Sequence, residues 1–245
     1  MKNMQTGFLK NITLLALVFA TVCGHAQTPT DLLQKADSLY TKKQFTQSFE
    51  LYQRIHQAGQ YSPAMFLKMA FIQEGLDKPG LALYYLNLYY LASNDDQTLV
   101  KMDELAAKNG LTGYEHTPLN TIRESIARYR TPIAGALAAV IFLLMAVGIY
   151  QTRKGHKPVT AMVVVITGLI VLGLFVNFFK PNRTAIITGT NTIAMNGPSA
   201  GASAVGLLKE GNKVRIQKAE DVWLKVYWAN RYVYVRQSQV LEVTL

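Results

Sequence analysis

Cysteine is almost missing from this chain. Cys23 is the single example, and the four histidines, His25, His56, His116 and His156, fall in four separate segments. If the N-terminus is removed as its composition implies, the mature chain has no thiol, which excludes disulfides and a cysteine nucleophile. There is no HExxH pair and no GxxxxGK[ST] loop, so zinc-protease and P-loop chemistry have no residues to run on. The reading is of a non-enzyme with no cofactor and no metal. Charge is sparse as well, at 16% of residues, and two long runs have none: 132–150 and 159–179. A transporter or proton relay needs ionisable side chains inside the bilayer, and these runs supply none.

The net charge of +10 is not a nucleic-acid signal. Residues 119–183 hold eight basic against one acidic side chain, whereas 27–118 hold eight against ten. The excess therefore sits beside the apolar runs, where basic residues have their own physical reason to be. Runs of 19 to 21 apolar residues rise about 1.5 Å per residue and cross a hydrocarbon core of about 30 Å. Between them, 151–158 carries Arg153, Lys154 and Lys157. The expectation is a transmembrane hairpin, with spans at 132–150 and 159–179 and a short loop at 151–158. Ala134, Gly135, Ala138 and Ala139 form small-xxx-small pairs that would let the spans approach.

Residues 1–26 have a basic head (Lys2, Lys10), an apolar stretch from 12 to 22 and small residues at Gly24 and Ala26, which is the pattern of a secretory signal cut before Gln27. Cys23 invites a lipoprotein reading, but Val22 is bulky where such sites prefer a small residue. Export of the segment after the signal puts 151–158 in the cytoplasm, as the positive-inside rule wants. Arg123, Arg128 and Arg130, with Lys180 and Arg183, then lie outside against that rule; the signal decides the orientation.

Residues 30–92 repeat. An offset of 34 residues places Ala36 on Ala70, Ser48 on Ala82, Phe49 on Leu83 and Leu33 on Leu67. Thirty-four is the period of the tetratricopeptide (TPR) helix–turn–helix unit. The small residues at 36 and 48 would let two helices approach, with Phe45, Tyr52 and Ile55 filling the space between units. In the second copy Pro79 stands where Phe45 does, and its second helix carries Tyr84, Tyr85, Tyr89 and Tyr90. Four tyrosines cannot all point into one core, so two are expected to pack and Tyr84 and Tyr90 to form a protein-binding face. A further helix from about 95 to 109, with Asn94 as N-cap and Gly110 as stop, would cap the stack. Residues 116–131 read as a juxtamembrane linker and amphipathic helix, with Leu119, Ile122, Ile126 and Tyr129 at helical spacing.

From Lys180 the chain changes character. Turn residues (Pro181, Gly189, Asn196-Gly197-Pro198-Ser199, Gly201, Gly206, Gly211-Asn212) separate short apolar runs at 186–187, 214–216, 222–228 and 232–235. These predict a small all-β barrel of about five strands over 184–245. Val222, Leu224 and Val226 fall on one face and Trp223, Lys225 and Tyr227 on the other, with a tight reversal at Ala229-Asn230. Trp223, Tyr227, Tyr232 and Tyr234 either form an aromatic groove for peptide or plug the barrel.

The run NGPSAGASAVGLLKEGNKV, followed by Trp223-x-Lys225-Val226 and the closing Tyr234-Val235, resembles a bacterial SH3 (SH3b) domain. Asn196 stands near where many members carry arginine, and Val233 replaces the glycine before the closing aromatic. The whole order (signal 1–26, TPR-like helical domain 27–115, linker 116–131, two spans, SH3b domain 184–245) resembles the BatE family of the Bacteroides aerotolerance operon. The stretches LYYLNLYYLASND and GLLKEGNKV carry that resemblance. It implies a two-span bacterial inner-membrane protein with both modules in the periplasm. It also implies partners encoded in the same operon: proteins with von Willebrand factor A domains and, indirectly, a MoxR-type ATPase. The fold class expected is thus multidomain, with an all-α TPR solenoid, a transmembrane hairpin and an SH3-like barrel. The function expected is a scaffold binding protein partners, in contact with membrane lipid and without nucleic acid. The alternative is a cell-wall sensor whose SH3b domain binds peptidoglycan peptides.

Overall fold

The computed structural model describes residues 29–115, 126–127, 129–155, 159–180 and 182–245. The expected signal, with Cys23, lies outside the described residues, as does the juxtamembrane segment apart from 126–127 and 129–131. The chain divides into two compact units, Met1–Asp77 and Lys78–Leu245. The boundary falls inside the stretch read as one helical domain.

The first unit contains α1 (Pro29–Thr41), α2 (Phe45–Gln57) and α3 (Pro63–Gly75). Helices α1 and α2 form an antiparallel pair, and the small residues at 36 and 48 make it close. Both are fully buried, and the Ser48 hydroxyl donates to the Ala36 carbonyl at 2.8 Å. Tyr52 and Ile55 are buried as expected, but Phe45 is 40% exposed and packs only edge-on against Tyr40. As the first residue of α2, it lies at the end of the pair rather than within it. Asp37 ties the three helices together. Its carboxylate accepts from the Tyr52 hydroxyl and from the Lys68 ammonium, the latter at 2.7 Å. Burial, aided by that carboxylate, pushes the Tyr52 phenol well above its usual range. Ser62 caps α3 by accepting from the Met65 amide, and Pro63 follows at the first helical position.

His56 lies in the last turn of α2 with its ring edge-on to Phe66 at 5.2 Å, and its Nδ1 is buried without a partner among the described residues. Burial lowers its pKa. The folded unit thus prefers neutral His56, while the unfolded chain takes up a proton near the ordinary value of about 6.5. Stability from this group is complete above that value and falls as pH drops through it toward the lower folded pKa. Thermal unfolding should shift to lower temperature between pH 7.5 and 5, and His56→Gln should reduce that shift.

The second unit opens with the antiparallel pair α4 (Pro79–Ser93) and α5 (Gln97–Asn109). Pro79 occupies the first turn of α4, where a missing N–H costs nothing. Asn94 does not cap α5 as the sequence implied. It closes α4 in the left-handed region at φ 56°, with its amide donating to the Tyr90 carbonyl, and Asp96 precedes α5 instead. An Asn between two helices can serve either end, because the same short amide tolerates positive φ and caps N-termini. Gly110 stops α5 as expected, at φ 62°.

Two apolar helices follow, α6 (Arg130–Arg153) and α7 (Val159–Phe178). Helix α6 is long and apolar enough to cross a membrane, and none of its residues is buried. It exceeds the expected span of 132–150 by two residues at the start and three at the end. Helix α7, counted over the fully described residues Met162–Phe178, falls short of that length criterion, so one helix and not two meets it. The two helices pack together, but not through Gly135, which has nothing within 4 Å of its would-be side chain. The close contact is at Gly168, where a Cβ would lie 3.1 Å from Ile141.

The C-terminal part is a seven-stranded antiparallel sheet: β1 (Arg183–Ile187), β2 (Thr192–Met195), β3 (Ala204–Leu208), β4 (Lys213–Glu220), β5 (Trp223–Trp228), β6 (Arg231–Arg236) and β7 (Val240–Glu242). The strand order is β3-β2-β6-β5-β4-β1-β7. Its core is built from Ala185, Ile187, Ala194, Leu208, Val214, Ile216, Leu224, Val226, Val233, Val235 and Val240. The alternation of β5 and β6 holds, with Leu224 opposite Val235 and Val226 opposite Val233. Val222 departs from it: Glu220 pairs with Trp223, so Asp221 and Val222 form the turn, and Val222 is 56% exposed. The reversal at Ala229-Asn230 is a two-residue hairpin with φ of 47° and 62°, the sign a right-twisted hairpin prefers.

Candidate functional site

A conformational lock joins α4 and α5 to the sheet. Gly110 releases the chain from α5 in the left-handed region, and residues 111–115 then run onto the start of β4. The Lys213 amide donates to the Thr112 carbonyl at 3.0 Å, and the Thr112 amide donates to the Asn212 Oδ1 at 3.0 Å. The buried Tyr114 hydroxyl donates to the Gly211 carbonyl at 2.8 Å, and burial raises its pKa far above the ordinary phenol value. Helix α4 adds Gly80, where a Cβ would stand 3.0 Å from the Gly211 amide nitrogen. Backbone therefore meets backbone.

Asn87 is the one amide within the apolar run of α4. It is buried, its Nδ2 donates to the Leu83 carbonyl at 2.7 Å, and its Oδ1 accepts from the Lys213 ammonium at 2.8 Å. Lys213→Met would leave that oxygen unpaired in the interior, a loss of about 1–3 kcal/mol, whereas adding Asn87→Leu should restore most of it. Chemical denaturation of the two single variants and the double variant checks the coupling.

Where the helices and the sheet meet there is a cleft of about 750 Å³. Tyr90 of α4 and Tyr227 and Trp228 of β5 form its aromatic wall, with Lys209, Lys213 and Arg215 beside them. Glu115 also lines it, with its carboxylate accepting from the Gly113 amide at 3.0 Å.

The two sets of aromatics expected to bind protein are placed differently. Tyr84 is 8% exposed, packed against Tyr85 at 5.1 Å, so its ring is structural rather than presented to a partner. Tyr90 is half-buried and reaches the cleft. Trp223, Tyr227, Tyr232 and Tyr234 share the outer face of the β5–β6 hairpin, and none belongs to the sheet core. They alternate with cations as a cross-strand ladder: Trp223 opposite Arg236, Lys225 opposite Tyr234, Tyr227 opposite Tyr232. The Lys225 ammonium lies 5.2 Å from the Tyr232 ring centre, and the Arg236 guanidinium 5.6 Å from that of Trp223. Trp223 is itself buried, while Tyr227 and Tyr232 are exposed, so the ladder is a raised strip with one ring sunk into it. Tyr227 belongs to both the ladder and the cleft.

Gly197-Pro198-Ser199-Ala200-Gly201 spells the GxSxG of a nucleophile elbow, a motif that the sequence argument against an enzyme had to count as absent and that is present. That elbow is a strand-to-helix turn. Here the five residues join strand β2 to strand β3, and the Ser199 hydroxyl oxygen accepts from the Gly201 amide.

Comparison with protein-family models and with curated proteins finds no match to this chain.

Proposed function

We propose that this protein is a two-span membrane adaptor of the BatE type, holding TPR-like helices and an SH3b-like sheet on one exported face to bind proteins of the same complex. One observation carries the reading. Residues 87 and 111–115 precede the apolar helices, residues 211–213 follow them, and the two sets are joined by buried and part-buried hydrogen bonds. Such bonds cannot form across a hydrocarbon core of about 30 Å. If α6 alone crossed, the two sets would lie on opposite sides, so its partner α7, 20 residues long, is read as the return span. With the signal sequence read as directing export, the joined helices and sheet lie in the periplasm and the basic turn at Arg153 and Lys154 in the cytoplasm.

Affinity capture of the intact protein from detergent extracts is expected to recover other membrane or periplasmic components, among them proteins with von Willebrand factor A domains. Reproducible recovery of nothing would sink the adaptor. The exposed Tyr227–Tyr232 pair favours the wall-sensor alternative as the second reading. Co-sedimentation of the intact protein with wall sacculi, lost in Tyr232→Ala, would support that reading instead.

A further inference from the structure

We propose that the cleft between α4, α5 and the sheet binds an extended acidic segment of a partner protein. The inference rests on the adaptor reading and names the chemistry of what is held. Lys209 and Arg215 have no ion-pair partner among the described residues, and both line the cleft. Lys213 adds a third positive charge at the back of the cleft, fixed there by Asn87. The single carboxylate present, Glu115, is turned onto the Gly113 amide. With three cations against one carboxylate, the cleft is a concave surface of net positive charge, which attracts carboxylates and disfavours basic segments.

Its walls point to a polypeptide rather than to a small anion. A volume of about 750 Å³ far exceeds one carboxylate and matches clefts that take drug-sized ligands, about 300–1,000 Å³. Tyr90, Tyr227 and Trp228 give apolar contact between the charges. Leu207 of β3 also lines the cleft, and β3 is a terminal strand of the sheet. An extended chain can use such an edge for main-chain pairing while its side chains meet the cations.

The test uses the full chain in detergent micelles and a fluorescein-labelled octapeptide of alternating glutamate and leucine, followed by anisotropy. Saturable binding is expected, weakening with added salt, and at least tenfold weaker in Lys209→Glu/Arg215→Glu. The matching peptide with lysine in place of glutamate should not bind, and Lys225→Glu on the outer ladder should leave the affinity unchanged. Thermal unfolding of each variant verifies that the sheet is intact. Equal affinity in wild type and double variant, no saturable binding, or full competition by free glutamate at millimolar concentration would each overturn the proposal. If partner capture succeeds while the double variant binds the octapeptide unchanged, the cleft is wrong and the adaptor stands. If the titration behaves as expected and capture recovers nothing, the adaptor is wrong and the cleft stands.

Discussion

Gly113→Ala is expected to lower the stability of the joined helices and sheet by about 3–4 kcal/mol, in the range that marks a broken structural feature rather than a surface change. Two effects act on this residue. Its φ of +94° lies where an L side chain is strained, and a Cβ there would stand 2.0 Å from the Lys213 carbonyl oxygen. That oxygen is backbone, so nothing short of moving residues 111–115 off β4 relieves the overlap. Gly59→Ala separates the two effects. Gly59 also has positive φ, +73°, but nothing lies within 4 Å of its would-be Cβ. It should therefore show only the conformational cost of about 1–2 kcal/mol. The Lys213 amide gives a local readout, because its acceptor is the Thr112 carbonyl at 3.0 Å. In Gly113→Ala this amide should exchange with solvent far faster, while amides between β5 and β6 keep their protection. Unchanged protection at Lys213 would show that the overlap is absorbed elsewhere and that the lock is not held at Gly113.

The elements that were legible in the sequence are those whose pattern is local. Helices α1 to α4 follow from the 34-residue repeat and α5 from a stop signal, Gly110, while β5 and β6 follow from the apolar runs at 222–228 and 232–235. Strands β2, β3 and β7 were not read: β2 and β7 are only four and three residues long, and β3, though as long as β1, shows no alternating burial. Two of them sit in a stretch of Gly, Ala and Ser that looks like loop. The ladder was legible because four aromatics and two cations at period two on paired strands must share a face. The cleft was not. Its residues come from α4, α5, 110–115, β1, β3, β4 and β5 and from the turns beside them, and no local pattern announces that the end of α5 will dock on β4. One signal was available: Asn87 in the middle of LALYYLNLYYLA. A buried amide in an apolar helix needs a polar partner, and Lys213, 126 residues away, supplies it. Tyr84 was misassigned for a related reason, since helix position tells which tyrosines share a face but not which faces are covered.

Single cysteines introduced at Lys108, Lys154 and Ser238 in a Cys23→Ser background should react with a membrane-impermeant maleimide from two different sides: 108 and 238 together, 154 opposite. All three positions are exposed. Lys108 is on α5, Lys154 follows α6, and Ser238 lies just before β7. At about 1.5 Å per residue, the 24 residues of α6 span about 36 Å and the 20 of α7 about 30 Å, against a hydrocarbon core of about 30 Å. Helix α7 has no length to spare for tilt, which makes it the weaker member and the useful one to remove. Deleting 159–178 leaves one crossing and forces 238 to the side of 154. The hydrogen bonds of Thr112, Tyr114 and Asn87 to residues 211–213 then become impossible. The deletion should therefore give a chain that inserts but loses the protection of the Lys213 amide, and one that is degraded faster than Gly113→Ala. Intact chains labelled at 108 and 238 from opposite faces would mean a single crossing. The contacts between 111–115 and β4 could not then exist in the membrane. Labelling of all three from one face would mean that neither helix crosses. Only the paired outcome lets the same protein have exposed apolar helices and a hydrogen-bond network between the segments on either side of them.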